Sequence, residues 1–245
     1  MRRSYEKEMM DLPGQPRELL EEDLANLRVF NRYLGGHRSV MRGLARIVRE
    51  QRLVGFSLLD VGTGSGDVPA RITDWAQQLG IKTAIVALEP EPVTARVAAR
   101  LTNRRLQRGK DWDFRRGGIL IVRGDGSIPP FRPASFDFVL ASQLLHHFSE
   151  EKIVTLLRSW SQLARRAIIV SDLVRHPVAY HGIRLLTKIC TPNVMTRTDA
   201  PLSVRRAFTL AEWRELFHQA DIGPVQIFSI FPYRVLALVS LNGAR

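Results

Sequence analysis

Asp60 stands at the end of a short apolar run and just ahead of Gly62-Thr63-Gly64-Ser65-Gly66. Three glycines so close together permit a tight turn and let a ligand lie against the backbone. An acid before the first glycine repels a pyrophosphate but suits a cationic, amine-bearing ligand. A dinucleotide-binding turn needs G-x-G-x-x-G, and its third glycine would fall at Asp67. A P-loop needs a Lys after its last glycine, and none follows here. A second apolar run, 82–88, ends in Glu89-Pro90. An acid about twenty residues past the glycines, at the end of a second strand, hydrogen-bonds ribose hydroxyls in nucleotide-binding α/β folds.

Proton-transfer chemistry has its own candidates. The run Phe136–Ala141 leads into Ser142-Gln143-Leu144-Leu145-His146-His147. Either histidine could serve as a general base, and helical neighbours diverge by about 100°, so one would face a pocket while the other packs elsewhere. Asp172 closes a fifth run and could act as base or orienter. His176, Tyr180, His181 and Arg184 follow, in a stretch suited to lining a substrate lid. The six histidines, at 37, 146, 147, 176, 181 and 218, show no H-x-x-x-H pair, and no C-x-x-C exists. Spacing therefore leads to the expectation of no metal site.

Taken together, Asp60 with its glycines, Glu89, Asp125 within Arg123-Gly124-Asp125-Gly126, and Phe136-Asp137-Phe138-Val139 followed by Leu-His-His resemble the class I S-adenosylmethionine (SAM) dependent methyltransferases. The Phe136–Val139 strand followed by Leu-His-His looks like the small-molecule branch that includes ubiquinone and menaquinone biosynthesis enzymes. The resemblance covers roughly residues 30–240 and implies SAM as cofactor. It implies cofactor contacts from Asp60, Gly62, Thr63, Gly64, Gly66, Glu89, Pro90, Asp125, Gly126 and Ser142, with Asp125 taking the adenine amino group. Methyl transfer from a sulfonium is an in-line displacement in which holding the reactants in line does most of the work. The expected acceptor is a small organic molecule, methylated at a phenol or carboxylate oxygen. A nucleic-acid methyltransferase is the alternative, since the formal charge is +12. Against it, the stretch after the fourth run carries no proline and no aromatic to stack a flipped base. An inactive SAM-binding partner protein is the second alternative.

The elements that must position these residues follow from periodicity. Residues 1–16, with Pro13, Gly14 and Pro16, read as a loose arm. Amphipathic helices are expected at about 17–33 and 38–53, then strands and helices in alternation from Phe56. Helices are expected near 66–79, 92–107 and 149–164, and a fifth strand over Ala167–Ser171. The fold expected is α/β: a Rossmann-like, doubly wound, mostly parallel seven-stranded sheet. It would carry a terminal antiparallel hairpin, N-terminal helices and an inserted cap after strand five. Residues 1–54 would be an arm and helical lid, and 55–245 the SAM-binding domain. Residues 173–208 would be a substrate cap, with a helix over Val178–Ile189 and a polar loop through Pro192, Asn193, Asp199 and Pro201. Thr209 and Glu212 have the spacing of a capping box.

Bulk properties narrow the partners. Of 36 basic residues only five are Lys, so arginine dominates. Arg96, Arg100 and Arg104 share a helix face and Arg105 adjoins them, the best basic patch in the chain. Without clustered aromatics to stack bases, it is expected to bind nucleic acid only weakly. No apolar run reaches the length of a membrane span and the N-terminus lacks an apolar leader core, so a cytoplasmic protein is expected. Peripheral contact with a membrane surface stays open, as does the oligomeric state. The single cysteine, Cys190, excludes an internal disulfide.

Overall fold

A computed structural model describes residues 1–102 and 118–241. Seven strands form one sheet: β1 (Gly55–Val61), β2 (Lys82–Glu89), β3 (Gly118–Arg123), β4 (Phe136–Ser142), β5 (Ala164–Leu173), β6 (Val225–Ile230) and β7 (Arg234–Ser240). Their order is β3-β2-β1-β4-β5-β7-β6. The first five run parallel, and β7 pairs antiparallel with both β5 and β6. The parallel strands read as continuous apolar runs because both faces are covered. In β1, Phe56 and Leu58 meet the helices α2 (Gly36–Glu50), α3 (Asp67–Gln78) and α4 (Pro92–Leu101), while Leu59 and Val61 meet α5 (Glu150–Leu163) and α8 (Leu210–Ala220). The expected fold is the observed one.

Chain order reverses between β1 and β4, which opens a crevice at the carboxyl ends of those strands. Asp60, Glu89, Ser142 and Asp172 all sit on that edge. Opposite it, β4 and β5 shift register between Phe136 and Phe138, so Phe136 and Val139 both enter the α5–α8 side of the core.

Three local expectations are corrected. The N-terminal arm is not loose. Arg3 donates to Glu150, to the Phe148 carbonyl and to the Arg206 carbonyl, at 2.9, 2.7 and 2.7 Å, and its guanidinium lies 3.9 Å from the Phe208 ring centre. Met9 and Met10 donate their backbone N–H groups to the two oxygens of Asp199. The prolines and glycine that suggested looseness fall after this bound stretch.

The polar loop expected around residues 192–201 is instead helix α7 (Val194–Arg206), packed against α6 (Pro177–Cys190) and α1 (Arg17–Tyr33). Asn193 caps it, accepting from the Thr196 N–H at 2.9 Å. Pro201 sits inside it. Met195, Ala200, Leu202 and Val204 are buried together with Thr196, Asp199 and Arg206, so no single apolar stripe marks the helix. Strand β5 also starts three residues earlier than its apolar run, because Ala164 pairs with Phe136. The capping box of α8 forms as spaced, with Glu212 accepting from the Thr209 N–H at 2.6 Å. The outer end of the expected helix 92–107, with Arg104 and Arg105, lies outside the described residues.

Candidate active site

The glycine turn is built by backbone geometry. Gly62, Gly64 and Gly66 all take positive φ, at 66°, 58° and 76°. At Gly62 a Cβ would come within 2.7 Å of Leu144, so the turn closes against the loop after β4. At Gly64 a Cβ would meet nothing within 4 Å, so the backbone faces open space on that side. A side chain there would be strained by its φ and would fill the space a ligand needs.

Buried carboxylates surround the turn. Asp60 is 1% exposed, and its Oδ1 has no hydrogen-bond partner. Burial, opposed by a hydrogen bond from the Thr63 side chain and helped by the charges of Asp67 and Glu89, pushes its pKa up to about 7. Glu89 accepts the Gly64 N–H at 2.9 Å and the Glu91 N–H at 3.1 Å, yet burial still pushes it up to about 7. Each of its oxygens keeps a further lone pair. Ser142 Oγ is also buried without a partner. Asp125 is exposed and accepts the Ser127 N–H at 2.7 Å, and Pro90 is exposed beside Glu89. Gly126 is held tightly: its carbonyl accepts Trp160 Nε1 at 2.8 Å, and a Cβ would overlap Val61.

Four residues that spacing did not flag close this cradle from above. Asp67 accepts from Ser65 at 3.0 Å and from Asn31 of α1 at 3.3 Å, and its Oδ2 lies 2.7 Å from His37 Nε2 of α2. Burial would raise Asp67, but the His37 hydrogen bond and charge hold it below the usual carboxylate range. Gln143, at φ 54°, donates its side-chain amide to Asn31. The one available signal was Asp67 itself, standing where a dinucleotide turn would place glycine.

The second cluster lies at the ends of β4 and β5. His146 and His147 occupy a short 3₁₀ turn, Leu145–His147, with ring centres 4.4 Å apart. His146 Nδ1 lies 2.6 Å from Asp172 Oδ1, and Asp172 Oδ2 accepts the Leu145 N–H at 3.0 Å. Burial works against the charge on Asp172, yet the His146 imidazole and the Leu173 N–H hold its pKa low. His147 Nδ1 lies 2.8 Å from Asp11. Glu8 of the arm faces both rings and is 1% exposed. Arg206 donates to the carbonyls of His146, His147 and Glu6. The structure thus unites the three expected catalytic residues and adds Glu8, Asp11 and Arg206 to them.

The four expected substrate residues are spread along α6. His176 caps that helix through the Val178 N–H and stacks on Tyr233 at 4.5 Å. Tyr180 is half-buried, while His181 and Arg184 are exposed. His176, Tyr180 and Arg184 follow at intervals of four along one side of the helix, and the Tyr180 and His181 ring centres lie 5.1 Å apart.

Residues 59–167 match the family model Methyltransf_11, described as a methyltransferase domain. No curated protein matches the chain. Among solved structures the chain is similar to human N-acetylserotonin methyltransferase in complex with SAM (16% identity, TM-score 0.62, 98% of this chain and 63% of that one). It is also similar to an O-methyltransferase family 2 protein from Planctomyces limnophilus in complex with apigenin (18%, 0.60, 94% and 63%). A third likeness is to magnesium protoporphyrin IX methyltransferase from Synechocystis PCC 6803 with bound S-adenosylhomocysteine (16%, 0.56, 94% and 90%). The chain spans 63% of the length of the first two. These likenesses show a shared fold. The matched segment gives the class only as far as it reaches: residues 59–167 are similar to a methyltransferase domain, and the solved structures add the fold alone. Among the described residues, no helix is long and apolar enough to cross a membrane.

Proposed function

We propose that this chain moves the methyl group of SAM to an oxygen of a small organic acceptor, a phenol or carboxylate. The observation that carries the cofactor reading is a set of buried polar atoms without partners. Asp60 Oδ1, near the end of β1, and Ser142 Oγ, at the end of the adjacent β4, are two of them, beside a glycine turn with open space over Gly64. Buried polar groups are nearly always paired, so two orphans at the mouth of this crevice suit a polar ligand that completes them.

When bound, SAM supplies a sulfonium whose S–CH3 bond breaks as the acceptor O–CH3 bond forms, leaving a neutral thioether. Asp60 and Glu89 offer the negative charge and acceptor lone pairs that suit an amine and ribose hydroxyls. Asp125, exposed at the end of β3, would take the adenine amino group, and Gly62, Thr63, Gly64, Gly66, Pro90, Gly126 and Ser142 would shape the cradle. Helices α1 and α2, tied to Asp67, would exclude water from above. Alignment does most of the catalytic work; a carboxylate acceptor arrives already ionised, whereas a phenol must also give up its O–H proton, to solvent or to a neighbouring base. His146, His147 and Asp172 serve as positioning residues in this reading, because His146 is 3% exposed with its ring held between Asp172 and Glu8. Residues 173–208 would cap the acceptor, with His176, Tyr180, His181 and Arg184 on the rim. A cytoplasmic setting belongs to the same reading and is supported by the free, exposed Cys190.

The test is transfer of tritium from methyl-labelled SAM into cell extract, fractionated into metabolites, lipids, RNA and protein. Label in the metabolite fraction, base-labile for an ester or stable for an aryl ether, is the expected result. Label confined to RNA or protein, or calorimetry showing no SAM binding, would overturn the reading.

A further inference from the structure

Spacing along the chain excluded the usual metal signatures, but the fold brings together ligands that no spacing rule connects. Glu8, His146 and His147 place one ligand atom each within 4.8 Å of one another. Glu8 Oε1 is 3.7 Å from His146 Nε2, and Glu8 Oε2 is 3.8 Å from His147 Nε2. We propose that these three side chains bind one divalent transition-metal ion of the zinc class, which fastens the N-terminal arm to the end of β4.

Three observations carry this. First, both Nδ1 atoms are already committed to carboxylates, His146 to Asp172 at 2.6 Å and His147 to Asp11 at 2.8 Å. Those contacts fix the ring orientations, and both Nε2 atoms then face Glu8. Carboxylate-backed histidines turned toward a shared centre are the arrangement that orients imidazoles on a metal. Second, Glu8 Oε1 is buried and unpartnered. An ion placed between that oxygen and the two Nε2 atoms would give all three a partner. Third, the cation nearest to Glu8 does not satisfy that oxygen. Arg206 Nε is 3.7 Å from it, and the guanidinium donates instead to the carbonyls of His146, His147 and Glu6.

Charge permits the ion. Glu8, Asp11, Asp172 and Asp199 supply four carboxylates around the two rings, against Arg206 and the Arg234 guanidinium that faces Asp172. The donor set selects its class: two imidazoles and one carboxylate suit zinc, whereas magnesium and calcium prefer all-oxygen shells. Closure is modest, since ligand atoms at most 4.8 Å apart must draw in to about 3.4 Å around a tetrahedral ion.

The experiment uses the full chain, stripped by dialysis against a chelator and titrated with Zn²⁺ in competition with a chromogenic chelator. The expected result is one ion per chain with a sub-micromolar Kd and a higher thermal midpoint. Co²⁺ in its place should give the strong visible absorption of a four-coordinate site. Glu8→Gln and His147→Gln should each weaken binding by at least about 100-fold, and His218→Gln, on the exposed side of α8, should leave it unchanged. Should either ligand variant fail to fold, Asp11→Asn keeps all three ligands and is expected to weaken binding about 10-fold. Zn²⁺ binding to the wild type no tighter than to Glu8→Gln, or Mg²⁺ binding as tightly as Zn²⁺, would overturn the proposal. SAM affinity, measured separately, is untouched by that failure.

Discussion

Asp60 and Asp172 make an instructive pair. Both are buried acids near the carboxyl ends of parallel strands, 1% and 0% exposed, and both sit beside loops that shape the crevice. Their charges are treated in opposite ways. Asp172 faces an imidazole and three backbone N–H groups, from Leu145, His146 and Leu173, so its ionised form is held in place. Asp60 has an oxygen with no partner, and burial pushes its pKa up to about 7. One acid is complete within the fold, and the other awaits its partner from outside. Burial alone therefore says nothing about role; what distinguishes a binding acid from a structural one is whether the chain itself has answered its charge.

The comparison can be broken most sharply at Asp172. Asp172→Ala leaves three buried N–H groups and an imidazole without their acceptor, so it should cost about 3–5 kcal/mol of stability. Urea unfolding would measure this, and a loss under 1 kcal/mol would show that the cluster holds nothing together. Asp60→Asn should behave in the opposite way. It should weaken SAM binding by about 1.5–3 kcal/mol while leaving the free protein as stable as before, or more so. The pH dependence follows from the raised pKa. Below the unfolded value near 3.9 that contribution to stability is fully present, and it is lost as pH rises toward about 7. SAM binding runs the other way and should tighten from pH 5.5 to 7.5, by up to about tenfold per unit for each group deprotonated. Calorimetry in buffers of different ionisation enthalpy would detect the released proton, and Asp60→Asn should flatten the curve. The smallest effect is expected at Gly64→Ala, where the positive φ costs about 1–2 kcal/mol and nothing but the ligand space is obstructed. A SAM affinity unchanged in that variant would show that the ligand does not lie over Gly64.

The cradle side was largely legible from the residues. Short apolar runs ending in Asp60 and Glu89 read as buried parallel strands, since local pattern and final burial agree there. The glycines and the Thr209–Glu212 box are local devices whose spacing carries their geometry. The Asp172 side was legible only in part. His146 and Asp172 were both picked out, but their pairing at 2.6 Å depends on β4 and β5 lying side by side. Glu8 was invisible because nothing near it in the chain announces a partner more than a hundred residues away. Helix α7 was hidden for a related reason. Its polar residues look solvated until Asp23, Asn26 and the arm are folded against them, with Thr196 donating to Asp23 at 2.7 Å and accepting from Asn26 at 2.9 Å.

The arm also sets an order of events during synthesis. Residues 3–11 leave the ribosome well before their partners, which include Glu150, Asp199 and Arg206. The contact between Arg3 and the Arg206 carbonyl spans 203 positions. At bacterial to eukaryotic elongation rates that separation amounts to about 10–40 s. Through that interval Glu8 and the backbone of Met9 and Met10 remain in water or on a chaperone, and the sheet through β4 can assemble without them. Residues 3–11 are thus made well before the elements that place them.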